Sequence, residues 1–168
     1  MNPNLYAHDG KVCVSLLGTW KGSHNCERWS SESSLLQVLV SIQGLILVPE
    51  PYFNEPGYTR DPNNEEVVSE SKRYNEAATV LLLAATRDML EKPPTPWQFE
   101  ITYMFKSGIP KMIQRYEDWM KGNLLSEGND NATTVPDFPL LPFSGSRAYE
   151  VSTLLEQLKR HHKKYCSI

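Results

Sequence analysis

Apolar residues recur at helical spacing along most of this chain and at strand spacing only near its start. Lys11 to Leu16 alternates, with Val12, Val14 and Leu16 on one face and Cys13 and Ser15 on the other, which predicts a short strand. Leu35, Leu36, Val38, Leu39, Ile42, Leu45 and Ile46 follow the helical period. They predict a helix that starts near Ser31 to Ser33 with a serine cap, runs to about Val48 and is ended by Pro49 and Pro51. It is apolar around much of its circumference, so it is expected to be the buried helix of the domain. A second helix is predicted from about Ser69 to Lys92, before Pro93-Pro94. Thr95-Pro96 opens a third in the favoured cap-then-proline order, Gly108 stops it, and Pro110 opens a fourth that ends near Lys121-Gly122. The last helix, Tyr149 to Lys164, carries Val151, Leu154, Leu155 and Leu158 as one stripe.

The intervals have turn and loop chemistry. Asn2-Pro3-Asn4 and Asp9-Gly10 read as turns, and Gly18 to Trp29 as a loop. Residues 49–66 form a long loop of prolines, asparagines, aromatics and acids. Composition shifts at Gly122 toward Gly, Asn, Asp, Pro and Ser, so 122–148 is expected to be a disordered linker. The chain thus divides into 1–121, the linker 122–148, and an amphipathic helix over 149–168. A single strand cannot satisfy its own backbone groups, so either it pairs with something upstream or the strand reading is wrong.

Composition narrows the class. The 168 residues suit one domain, and 40% apolar content with twelve prolines suits a modest core with irregular stretches. A net charge of −3 lacks the basic footprint of a nucleic-acid binder. The run Lys159 to Lys164 is the one basic cluster. At a helix C-terminus its cations complement the dipole, and nucleic-acid or acidic-partner binding is the alternative. Three cysteines make no disulfide framework, and the apolar stretch Leu35 to Val48 is too short and too interrupted to span a bilayer. A soluble protein of a reducing compartment is expected, the cytoplasm with the nucleus left open.

Few residues suggest chemistry by pattern alone. A cysteine between two valines reads first as a buried structural residue, and an Asn-Pro-Asn turn is ordinary. Cys26 and Cys166 with His161 or His162 match no standard zinc spacing, so a surface thiol and a tail are the simpler reading. Trp20, Trp29 and Trp119 read as packing residues, Trp119 as core with Met112, Ile113 and Tyr116.

Taken together, several strings resemble the ubiquitin-conjugating enzyme family. They are Asn2 to Trp20 (NPNLYAHDGKVCVSLLGTW), Ser33 to Leu39, Ile42 to Leu47, Glu50 to Gly57 and Ser71 to Asn75, in that order. They look most like the branch of very large hybrid enzymes acting as both conjugating enzyme and ligase, where the turn is also Asn-Pro-Asn. The resemblance covers about residues 2–121. It implies an α+β fold, here an incomplete ubiquitin-conjugating (UBC) core that is mostly its helical half, followed by the linker and C-terminal helix. The family's first helix and antiparallel meander have no counterpart upstream of Asn2, and a fragment or incomplete gene model is one expectation from this.

The same resemblance implies the chemistry. Cys13 would accept ubiquitin as a thioester, and Asn4 would be the amide donor near the developing oxyanion when a lysine attacks. Pro3 would stiffen the turn, and Asn2 would stand in for the family's histidine. Asn54 and Glu55 are candidates for orienting the incoming lysine. No metal or organic cofactor is implied. The implied partners are ubiquitin, the ubiquitin-activating enzyme that spends ATP upstream, and a protein substrate, with no nucleic acid and no membrane. The interval from Asn4 to Cys13 is one residue longer than in the family, with His8-Asp9 holding the insertion. The alternative is a UBC-like interaction module that binds ubiquitin or a partner without turnover.

Overall fold

The computed structural model describes residues 4–6, 11–121 and 143–166. Asn2, Pro3, His8, Asp9 and most of the expected linker lie outside them. The architecture is mostly helical with little strand. It divides into two compact units, Met1–Asn75 and Glu76–Ile168.

The first unit opens on a small antiparallel hairpin, β1 (Leu5–Tyr6) against β2 (Lys11–Val12), with Leu5 opposite Val12 and Tyr6 opposite Lys11. The strand expected over Lys11 to Leu16 therefore stops at Val12, and its partner is upstream. Beyond it Cys13 N–H still bonds Asn4 C=O, while Val12 C=O and Val14 N–H, on the opposite edge, are taken up by the Thr19 side chain. Ser15–Leu17 instead form a short 3₁₀ turn. Cys13, Val14 and Leu16 are all buried, so the two-residue alternation breaks with the strand.

Helix α1 (Leu35–Ser41) begins in a capping box: Ser34 Oγ accepts from Gln37 N–H, and Gln37 Oε1 accepts from Ser34 N–H at 2.7 Å. It widens into a π turn over Ile42–Ile46, around Gly44. Asn54 Nδ2 then donates to the Leu45 carbonyl at 2.9 Å, satisfying one of the acceptors a helix end leaves over. The expectation of a buried helix is corrected. Val38 and Ile46 are buried, whereas Leu35, Leu36, Leu39, Val40, Leu45 and Leu47 are exposed. A helix apolar all round needs cover on every side, and the described residues of this unit cover only one. Trp20 and Trp29 are also exposed rather than packed.

The loop after α1 is tied to the next helix. Glu50 pairs with Arg60 at 2.8 Å and accepts from Ser71 Oγ, and Asn75 Nδ2 donates to Pro49 C=O at 3.0 Å. Tyr52 stacks on Tyr58 with ring centroids 4.6 Å apart. Helix α2 (Glu65–Glu91) starts four residues before the expected Ser69. Asn64 Oδ1 accepts from the N–H groups of Glu66 and Val67, and Glu65 and Glu66 complement the dipole of the first turn.

In the second unit, α3 (Gln98–Met120) runs unbroken through Gly108 and Pro110. The two helices expected on either side of Gly108 are thus one. Proline has no N–H for the carbonyl four residues back, that of Lys106. His162 Nε2 lies 3.1 Å from that oxygen and replaces the missing donor. Helix α4 (Gly145–Cys166) starts before the expected Tyr149, because Ser144 is anchored by the buried Glu76. Its stripe Val151, Leu154, Leu155 and Leu158 is buried with Leu83, Leu90, Ile109 and Ile113 in one core. Trp119 is buried against Phe143, centroids 4.0 Å apart. Lys159 of α4 bridges Glu117 of α3 and Glu156 of its own helix.

Candidate functional site around Cys13

The hairpin brings Asn4 and Cys13 together. Cys13 N–H donates to Asn4 C=O at 2.8 Å, and Asn4 Nδ2 donates to Cys13 C=O at 3.0 Å. Asn4 therefore holds the cysteine by both of its backbone polar groups. A side-chain amide carries two N–H hydrogens and no charge, which suits it both to this grip and to polarising a nearby oxygen.

Thr19 holds the other side. Its hydroxyl donates to Val12 C=O at 2.5 Å and accepts from Val14 N–H at 3.0 Å. The same oxygen is 3.1 Å from Val14 C=O. Its own carbonyl accepts from the Cys13 thiol, Sγ to O 3.3 Å. The chain reaches this position through Gly18, whose φ of 69° lies in the left-handed region. That turn is open to glycine and costly for a β-carbon.

Cys13 itself is 7% exposed. A thiol that exchanges acyl groups needs a path to its partner. In this arrangement the sulfur faces a carbonyl, and its exposure is that of a core residue. The resting geometry therefore shelters the thiol that this chemistry needs exposed.

The other expected positions are resolved separately. Asn54 donates its amide to the Leu45 carbonyl, which fastens the loop to the end of the π turn. Glu55 is exposed, and it adds to the effect of burial in pushing the Tyr74 phenol above its ordinary value. Burial, then Tyr58 and Glu70, raise Tyr52 likewise. Cys26 is exposed in a 3₁₀ turn over Asn25–Glu27 of the first unit, and His161 and His162 lie on α4 of the second. Among the described residues, no group of three or more His, Cys, Asp or Glu could hold a metal ion. None of the helices described is long and apolar enough to cross a membrane. Sequence reading missed Thr19; a hydroxyl residue directly after a glycine that follows a strand was the available signal.

Comparison with known proteins covers the same segment. The family described as "Ubiquitin-conjugating enzyme" matches residues 1–81, which contain Asn4, Cys13, Thr19, Asn54 and Glu55. The probable ubiquitin-conjugating enzyme protein 17 of Caenorhabditis elegans is 53% identical over 123 residues, 70% of this chain and 16% of the relative. The probable ubiquitin-conjugating enzyme E2 23 of Arabidopsis thaliana is 38% identical over 138 residues, 82% of this chain and 12% of the relative. The Homo sapiens dual E2 ubiquitin-conjugating enzyme/E3 ubiquitin-protein ligase BIRC6 is 56% identical over 75 residues, 44% of this chain and 2% of that protein. The chain thus spans a small fraction of the length of the curated relatives it matches.

Proposed function

We propose that this chain, a member of the ubiquitin-conjugating enzyme family through residues 1–81, carries ubiquitin as a thioester on Cys13 and passes it to a substrate lysine. The observation that carries the reading is the pairing of Asn4 with Cys13 inside the matched segment. In the first step the Cys13 sulfur bonds to the ubiquitin carboxyl carbon, displacing the thiol of the activating enzyme. In the second, a lysine amine attacks that carbon, and the departing group is the Cys13 thiolate. A neutral amide beside the carbonyl stabilises the oxyanion that forms between. In this reading Asn4 supplies that amide by exchanging its bond to the Cys13 carbonyl for one to the substrate.

The partners of this reading are ubiquitin, a ubiquitin-activating enzyme and a protein substrate, in the cytoplasm. Charging assays test it directly. Incubated with activating enzyme, ATP and ubiquitin, the chain should give an adduct that reductant removes and that Cys13→Ala lacks. The burial of Cys13 favours a second reading, a UBC-like module that binds ubiquitin or a partner without turnover. Saturable ubiquitin binding without an adduct would support that instead.

A further inference from the structure

The geometry points to Thr19 as the positioning residue of Cys13, a latch that holds the free thiol and lets go when the sulfur is acylated. The inference rests on the carrier reading of Cys13. No other described side chain forms hydrogen bonds on both sides of this cysteine. The Thr19 hydroxyl bonds the carbonyl of the residue before it, Val12, and the amide of the residue after it, Val14. Those two bonds fix the backbone from which the Cys13 side chain projects. The Thr19 carbonyl then accepts from the thiol itself at 3.3 Å, which selects the side-chain rotamer. Gly18, at φ 69°, supplies the reversal that brings backbone and hydroxyl of one residue to opposite parts of the same cysteine.

Charging removes the proton on which the last contact depends. The Cys13 sulfur forms a bond to the acyl carbon of the donor thioester, the donor's carbon–sulfur bond breaks, and the thiol proton goes to the departing thiolate. A thioester sulfur has no hydrogen to donate, so it meets the Thr19 carbonyl oxygen lone pair to lone pair. The contact that kept the sulfur buried becomes repulsive, while the hydroxyl still holds the flanking backbone. The thiol is thereby sheltered at rest, and the loaded sulfur is released toward the acceptor from a fixed anchor.

The test compares Thr19→Val, which keeps the shape and loses the hydroxyl, with Thr19→Ser, which keeps the hydroxyl. In the uncharged full chain, alkylation of Cys13 by iodoacetamide is measured against that of exposed Cys26 by peptide mass spectrometry. Thr19→Val should raise the Cys13 to Cys26 rate ratio at least about fivefold, since both hydroxyl hydrogen bonds are lost and one net bond alone corresponds to that shift. Single-turnover discharge of charged protein to free lysine should fall about tenfold in the maximal rate with unchanged KM, as for a slightly misplaced reacting group. Thr19→Ser should restore both. Amide exchange of Val14 in the unmutated chain needs no variant: it should be protected, and remain so after Cys13 is alkylated. An unchanged rate ratio in folded Thr19→Val, a serine variant that behaves as the valine one, or an unprotected Val14 amide would overturn the proposal. If wild-type protein forms no thioester, the carrier reading fails, and the alkylation and exchange results alone decide whether Thr19 holds Cys13.

Discussion

The Asn4 side chain reaches across the hairpin to donate to the carbonyl of Cys13, at 3.0 Å, while the Cys13 amide donates back to the Asn4 carbonyl at 2.8 Å. One residue so held is fixed in both directions along the backbone. The pair accounts for how a hairpin with two residues in each strand can place a side chain reproducibly. Replacing Asn4 by Ala removes the side-chain bond, and about 1 kcal/mol of stability should go with it. Discharge to lysine should slow by about tenfold to a hundredfold, because the oxyanion loses a donor. Asn4→Asp should be worse, since a carboxylate would face the Cys13 carbonyl with acceptors only. Single-turnover discharge and chemical denaturation, run on the same variants, separate the two effects. Equal discharge rates in all three proteins would remove Asn4 from the mechanism.

Glu76 is 2% exposed, yet both of its oxygens are occupied by one residue, accepting from Ser144 N–H at 2.7 Å and Ser144 Oγ at 2.8 Å. This carboxylate takes the place of a local cap at the start of α4. Glu76→Ala should cost about 1–3 kcal/mol, the range for stranding buried polar groups. Hydrogen exchange should show the loss first at residues 145–151. Ser144→Ala removes only the hydroxyl bond and should cost less. Uniform loosening of all helices in Glu76→Ala would contradict a local anchoring role.

Pro110 and His162 should be thermodynamically coupled. Pro110→Ala returns an N–H to Lys106 C=O, the atom that His162 Nε2 now meets at 3.1 Å. His162→Ala should therefore cost about 1 kcal/mol in the native sequence and less in the Pro110→Ala background. A double-mutant cycle by urea denaturation measures the difference. Strict additivity would mean that the histidine does not compensate for the proline.

Burial raises the phenol of Tyr116 above its ordinary value of 10.0, against smaller lowering effects of Arg115 and a hydrogen bond with Thr79. The unfolded chain ionises this tyrosine at its ordinary value, while the folded chain keeps it neutral to higher pH. Its contribution to stability is thus fully present below about pH 10 and is lost as pH rises through the folded value. Tyr116→Phe should flatten that alkaline part of the stability profile. Thermal melts from pH 8 to 11 on both proteins measure it, and parallel profiles would contradict the assignment.

Much of the second unit was legible from periodicity. The stripe Val151, Leu154, Leu155 and Leu158 reads as a helix face, and that face is what the core buries. Periodicity does not report partners distant in sequence. Pro110 reads as a helix boundary because its compensation comes from His162, and α4 starts early because Glu76 holds Ser144. Local side-chain bonds misled in the other direction: Asn64 starts α2 ahead of its apolar pattern, and Thr19 takes up polar groups of Val12 and Val14 where a longer strand was expected. At the site, alternation alone made Cys13 a core residue, which its burial matches. Only the ordered family strings linked it with Asn4, and the signal for Thr19, a hydroxyl residue directly after Gly18, is too common to single it out.

The central claim is that the Cys13 sulfur is the atom that accepts ubiquitin, and Cys13→Ser tests it with one atom changed. Wild-type and serine chains are charged with activating enzyme, ATP and ubiquitin, then weighed intact with and without reductant. The account predicts a wild-type adduct that reductant removes and a serine adduct that survives reductant but is cleaved by dilute hydroxide, as an oxygen ester is. A reductant-sensitive adduct persisting in the serine variant would place the acceptor on Cys26 or Cys166, and no adduct in either protein would contradict the carrier role.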